Sequence, residues 1–205
     1  MEDRQRGVPL SRYAVFGGIA VAGCAADLLT KEWIFRRLGF PTREPDWIWP
    51  GVLSLETSLN EGALFGIGQG LIWLFAALSV VAALGIVIWL FYAGAAMDWL
   101  LTTALALVTA GIFGNLYDRL GFPGMRWPFA TVGTGRAKGD AVYAVRDWIH
   151  FQTPWFDWPI FNLADSFLVC GAGLLMWHAF RQDHAQPKAD TAHAGSEPLA
   201  TRSTV

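Results

Sequence analysis

WPIFNLADSFLVCGAGLLMWHAF, residues 158–180, has the length and apolarity of a helix that crosses a bilayer, yet Asp165 sits inside it and Asn162 three residues earlier. A span needs ~20 predominantly apolar residues. A charged carboxylate near the centre of one costs roughly 3 kcal/mol or more, so a retained one points to a function. At i and i+3, Asn162 and Asp165 share one face of the helix.

Three further runs of this kind precede it, Tyr13–Leu29, Leu71–Tyr92 and Trp99–Leu116, and Ile160–Phe180 is the fourth. The second, LIWLFAALSVVAALGIVIWLFY, contains no charge. With 205 residues, 54% of them hydrophobic, the chain suits one compact bundle. The expected fold is an all-α membrane protein with four transmembrane helices. Eleven tryptophans fit aromatic belts at the two membrane interfaces. A net charge of −2 leaves no electrostatic footprint for nucleic acid.

Four spans place both termini on one side and two large loops, about 36–70 and 120–159, on the other. Residues 1–12 read as a polar leader. The run VLSLETSL (52–59) alternates as one or two short strands would, giving a small sheet against the membrane surface. The middle of the second large loop is rich in glycine and basic residues and reads as irregular and mobile. Residues 181–205 are polar and read as a disordered tail. Lys and Arg are more numerous on the loop side than on the terminal side, while three arginines precede the first span. Charge therefore leaves the orientation open.

Cys24 and Cys170 lie in apolar runs with no CxxC or Cys/His spacing, so no zinc site is expected and both read as small buried residues. Arg4, Arg6 and Arg12 followed by VAGC (21–24) also resemble a lipoprotein signal ending at Cys24. Helical character continues through AADLLTKEW, which favours a retained helix.

Because the spans alternate in direction, sequence position converts to depth. Asp27 and Lys31 close the first span, GNLYDR (114–119) closes the third, and FNLAD (161–165) opens the fourth. All three clusters fall at the face carrying the large loops, beside NEGALFG (60–66) and VRDWIHF (145–151). Polar side chains in lipid turn toward the bundle interior, so a wet pocket lined by carboxylates and amides is expected there. Asp27 and Lys31, at i and i+4, form either a helix-end ion pair or part of that site.

No serine or cysteine has a partner histidine in a recognisable motif, and HExxH is absent. Carboxylates remain as the reactive groups. Two held close share a proton: the ionised one can activate water and the protonated one can donate to a peptide carbonyl, without metal or covalent intermediate. Asp165 is one candidate. Asp147 has modest preference as its partner over Asp140 and Asp157, and Asp118, expected to pair with the adjacent Arg119 as a permanently charged unit, suits a structural or positioning role.

DLLTK, NEGALFG, GNLYDR, VRDWIHF and FNLADS, in this order across four spans, resemble lipoprotein signal peptidase, the signal peptidase II family. That resemblance implies four-helix aspartic endopeptidases of the bacterial inner membrane. These remove signal peptides from diacylglyceryl-modified prolipoproteins, cutting before the lipidated cysteine. It implies cytoplasmic termini, an extracytoplasmic active site, a small extracytoplasmic sheet cradling substrate, inhibition by globomycin and no cofactor. It further implies Asp147 and Asp165 as catalytic residues. The supporting positions are Asp27, Lys31, Asn60, Gly62, Asn115, Asp118, Arg119 and Asn162. Expected partners are the lipid-modified prolipoproteins and membrane lipid, with the enzyme a monomer. The chain departs from the family in the 28 residues between Asp118 and Asp147 and in Trp148 after the aspartate. That insertion reads as a solvated loop, with a lid or partner-binding hairpin as the alternative.

A presenilin-like protease would need GxGD in a helix, whereas AKGD (137–140) lacks the first glycine and lies in a loop. The remaining alternative is a small proton-coupled transporter or channel using Asp27, Asp118 and Asp165. It would need polar groups right across the bundle, and they cluster at one face.

Overall fold

The computed structural model describes residues 7–41, 44–62, 68–130 and 136–185. The start of the leader (1–6), positions 63–66 of NEGALFG and most of the tail (186–205) lie outside the described residues. Four helices form the bundle: α1 (Leu10–Leu38), α2 (Ile72–Val87), α3 (Trp99–Arg119) and α4 (Leu163–Ala185). Each, α2 with its continuation to Tyr92, is long and apolar enough to cross a membrane. The strands β1 (Asp46–Trp49), β2 (Leu53–Asn60), β3 (Val145–Thr153) and β4 (Phe156–Asp157) make one antiparallel sheet in sequence order.

Helix ends follow local chemistry. Gly39, at φ 83°, stops α1 and donates its N–H to Phe35 O; a left-handed residue there suits glycine. α2 widens into a π turn over Ile88–Tyr92 before Gly94, at φ 79°, reverses the chain. Asp98 then caps α3, accepting from the Leu101 N–H at 2.9 Å.

The α3 helix is the centre of the bundle, packed on α1, α2 and α4. Toward the termini the core is apolar, with Phe16, Ile86, Leu90, Leu101 and Leu105 buried together. A second cluster joins Ile34 and Phe35 of α1 to Leu55 of β2, so the last turns of α1 carry the sheet.

Three sequence expectations change. The first helix runs from Leu10 to Leu38, past the apolar run Tyr13–Leu29 and the expected continuation through Trp33, because Ile34 and Phe35 find the sheet to bury against. The second large loop is partly ordered as structure. Val145–Thr153 is the longest strand among the described residues, and the Arg126–Ala141 bridge pairs the two flanks of the adjoining insertion, whose middle at 131–135 lies outside the described residues. Cys170 is exposed on the outside of α4 and Cys24 is half-buried; both thiols are free.

Candidate active site

Asn162 and Asp165 build the start of α4 as a capping box. Asn162 Oδ1 accepts the Asp165 N–H at 3.0 Å, and Asp165 Oδ2 accepts the Asn162 N–H at 3.2 Å. The Asp165 carboxylate thus lies at the positive end of the helix dipole. Its other oxygen, Oδ1, accepts from Asn115 Nδ2 of α3 at 2.8 Å.

Asp147 arrives from the sheet. On one side β3 pairs with β2, placing Asp147 opposite Ser58. On the other, Trp148 and Ile149 donate to Phe161 O, which brings the strand alongside the approach to α4. Asn162 Nδ2 then donates to Asp147 Oδ1 at 2.6 Å and to Asn115 Oδ1 at 3.1 Å. Two amides therefore tie the Asp147 and Asp165 carboxyls into one cluster, and Asn60 also hydrogen-bonds Asp147. Asp140 and Asp157 are elsewhere. Asp140 accepts from the Ala137 N–H in a turn, and Asp157 holds His150 Nε2 at 2.7 Å.

Burial, and then the nearby charge of Asp165, push the Asp147 carboxyl from its usual 3.8 up to about 8. Lys31 and the amides of Asn162 and Asn60 pull the other way without cancelling the shift. Asp147 is thus the group that keeps a proton at neutral pH.

Beneath the pair lies a buried charge network. Lys31 Nζ sits 2.7 Å from Asp27 Oδ2 and 3.2 Å from Asp118 Oδ2, and donates to Asn115 Oδ1 at 2.9 Å. Asp27 Oδ1 accepts the Ala164 N–H at 2.9 Å, so α1 holds the first turn of α4. The glycine of GNLYDR makes this possible: a Cβ on Gly114 would stand 2.4 Å from Asp27 Oδ2. Asp27, Lys31 and Asp118 are fully buried, which charged residues tolerate only when paired.

Arg119 does not pair with its neighbour Asp118, as the sequence suggested. It donates to Gly62 O at 3.0 Å, and its guanidinium stands 5.7 Å from the centre of the Phe75 ring. Asp118 is held instead by Lys31 and by Arg146, a residue that the sequence did not single out. Gly62 in turn donates to Asn60 Oδ1 at 2.9 Å, so every expected site residue falls in this one region.

A cavity of about 420 Å³ between α2, α3 and α4 reaches the cluster, bordered by Phe75, Ser79, Gly111, Asn115, Arg119 and Asp165. Its polar end is the carboxyl cluster and its remainder is apolar. Among the described residues, no three His, Cys, Asp or Glu side chains converge as metal ligands.

The chain matches the family described as signal peptidase (SPase) II over residues 19–181. It is 46% identical over 179 residues to a lipoprotein signal peptidase of Rhodopirellula baltica, covering 84% of this chain and 74% of that protein. It is 30% identical to that of Halalkalibacterium halodurans, covering 85% and 97%. A solved bacterial membrane enzyme shares the fold with a TM-score of 0.68 at 24% identity, covering 87% of this chain and 94% of that one.

Proposed function

This chain belongs to the signal peptidase II family, and from that premise we propose that it is an aspartic endopeptidase of the bacterial inner membrane. It removes signal peptides from diacylglyceryl-modified prolipoproteins, cutting before the lipidated cysteine. Both termini are cytoplasmic, and the active site opens at the extracytoplasmic face.

The observation that carries this reading is the Asp147–Asn162–Asn115–Asp165 cluster at the head of an apolar cavity. Water held between the carboxyls gives its proton to Asp165 as its oxygen attacks the scissile carbonyl carbon. Protonated Asp147 donates to the carbonyl oxygen. When the tetrahedral intermediate collapses, Asp165 passes its proton to the leaving amine, the C–N bond breaks, and the proton on the former carbonyl oxygen returns to Asp147, so both carboxyls regain their starting states. Asn115 and Asn162 hold the carboxyls through the cycle, while Arg119 borders the peptide path. The apolar part of the cavity and the lipid beside it receive the acyl chains and the hydrophobic signal segment.

A transporter reading finds less support. The core on the terminal side is built from Phe16, Ile86, Leu90, Leu101 and Leu105, which offer an ion no path.

The test is incubation of the purified protein in detergent with diacylglyceryl-modified prolipoprotein, with and without globomycin. Cleavage that globomycin blocks is the expected result. D147N and D165N should each lower the rate by about 10²- to 10⁴-fold, the usual contribution of a positioned acid or base. Normal processing by both variants would discard the assignment.

A further inference from the structure

Arg146 precedes Asp147 in β3 and has a side chain only 3% exposed. Its backbone N–H donates to Asp118 Oδ2 at 3.0 Å and its Nε to Asp118 Oδ1 at 3.0 Å, with Nη2 2.9 Å from the same oxygen. Its Nη1 donates to Glu32 Oε2 at 3.0 Å. One residue of β3 is therefore fastened to both α3 and α1, from backbone and side chain together.

We propose that Arg146 is a positioning residue for the peptidase reaction. It fixes the height and rotation of β3 so that the Asp147 carboxyl meets Asn162 and the attacked carbonyl. This rests on the dyad proposed above. The need for such a fastening is visible in the sheet. The β2–β3 ladder shifts register between Leu55 and Ser58, just before it reaches Asp147. A bulge bends a strand and leaves its local pairing disrupted. On the other edge β3 is held by Phe161, through Trp148 and Ile149, on the far side of Asp147. β2 resumes its pairing at Ser58–Asp147, Leu59–Arg146 and Asn60–Val145, and Arg146 adds to it a tie from the strand to α3 and α1 right beside the carboxylate. Successive residues of a strand point to opposite faces, so anchoring Arg146 to Asp118 and Glu32 aims Asp147 away from them, toward α4.

Only a guanidinium satisfies the geometry. Its planar fork places two nitrogens on Asp118 and a third on Glu32, whereas an ammonium is a point charge that cannot span both in the same way. A cavity of about 190 Å³, lined by Glu32, Phe35, Phe40, Pro123, Met125 and Arg146, leads to this guanidinium. A small guanidinium ion can therefore reach the position if the side chain is cut back.

The experiment measures kcat and KM of the full-length enzyme on lipid-modified prolipoprotein for wild type, R146K and R146A. Sub-ångström displacement of a reacting group is costly, so kcat should fall about 10-fold in R146K and about 100-fold in R146A, with KM within about twofold. Millimolar methylguanidinium should restore part of the R146A rate, and methylammonium should not. Wild-type kcat in either variant overturns the proposal. So does a loss that appears in KM alone, or failure of both variants to fold, which would make Arg146 a folding residue only. A wild-type enzyme that leaves the precursor uncut sinks the peptidase reading instead, before any variant is compared.

Discussion

Asp147→Asn tests the buried proton directly, through stability. Burial and the charge of Asp165 raise the Asp147 carboxyl from 3.8 to about 8. Between those values the native state keeps a proton that the unfolded chain has released. Stability is therefore full below about pH 4, falls as pH rises, and levels off above about pH 8. Each pH unit in that window is worth about 1.4 kcal/mol, so wild type should lose ~4 kcal/mol between pH 5 and pH 8 relative to a variant with no titrating group at 147. Asparagine is a close neutral mimic, because its carbonyl oxygen can still accept from Asn162 Nδ2 as Asp147 Oδ1 does. All other titrating groups are common to both proteins, so the difference between their curves reports the coupled pair. Unfolding by SDS in mixed micelles, followed by tryptophan fluorescence, gives both curves at pH 5, 6, 7, 8 and 9. D147N should gain steadily on wild type up to about pH 8 and then run parallel to it. Curves that stay parallel across the whole range would refute a proton-holding Asp147.

The same proton should shape the rate. With Asp147 as the acid and its carboxyl titrating at about 8, kcat/KM for wild type should fall on the alkaline side near that pH; a profile flat to pH 10 would contradict it. Lys31→Met would leave Asp27 and Asp118 buried with a shared cation removed. Losing one partner of a buried ion pair costs about 3–5 kcal/mol, so this variant should unfold at markedly lower SDS, and wild-type resistance would argue against the network. Gly111→Ala would place a Cβ 2.4 Å from Ala164 O. Overpacking of this kind costs about 1–3 kcal/mol and here would push the first turn of α4 away from α3, so both stability and kcat should drop. Unchanged kcat in that variant would show that the α3–α4 spacing does not set Asp165.

Four spans and the face that holds the polar cluster were legible because both signals are local. Long apolar runs declare themselves, and alternation of direction converts position into depth. The alternating VLSLETSL likewise gave the place of β2, Leu53–Asn60. The strand that carries Asp147 escaped notice for a physical reason. Val145, Arg146 and Asp147 are buried in succession, because helices and neighbouring chain cover both faces of β3 at that point. The alternation that reveals a half-exposed strand is then absent. Pairing of Asp118 with Arg119 was an inference from adjacency, yet consecutive helical residues do not face each other. The actual partner, Arg146, lies across the insertion and cannot be found by spacing. Cys170 misled similarly: an apolar run marks a span, not which of its residues faces lipid.

The charges at this end of the bundle explain why one proton, rather than none or two, belongs to the carboxyl cluster. Among the described residues Asp27, Asp118, Asp147 and Asp165 face three cations, Lys31, Arg119 and Arg146, while Glu32, which also touches Arg146, is half-exposed and balanced by Arg36. Lys31 and Arg146 are committed to Asp27 and Asp118 by direct contact. Arg119 acts on Asp147 and Asp165 by charge alone, since its hydrogen bond goes to Gly62 O. Four negative groups against three positive ones leave a single excess charge in a poorly solvated region, and a single proton removes it. Asp147 is where that proton rests, because it is the more deeply buried of the two linked carboxyls. The balance makes the acid a property of the whole network. Arg119→Met, which deletes one cation, should therefore hold the Asp147 proton to higher pH and move the alkaline fall in kcat/KM upward. An unmoved alkaline limb would mean that Arg119 is electrically separate from the pair.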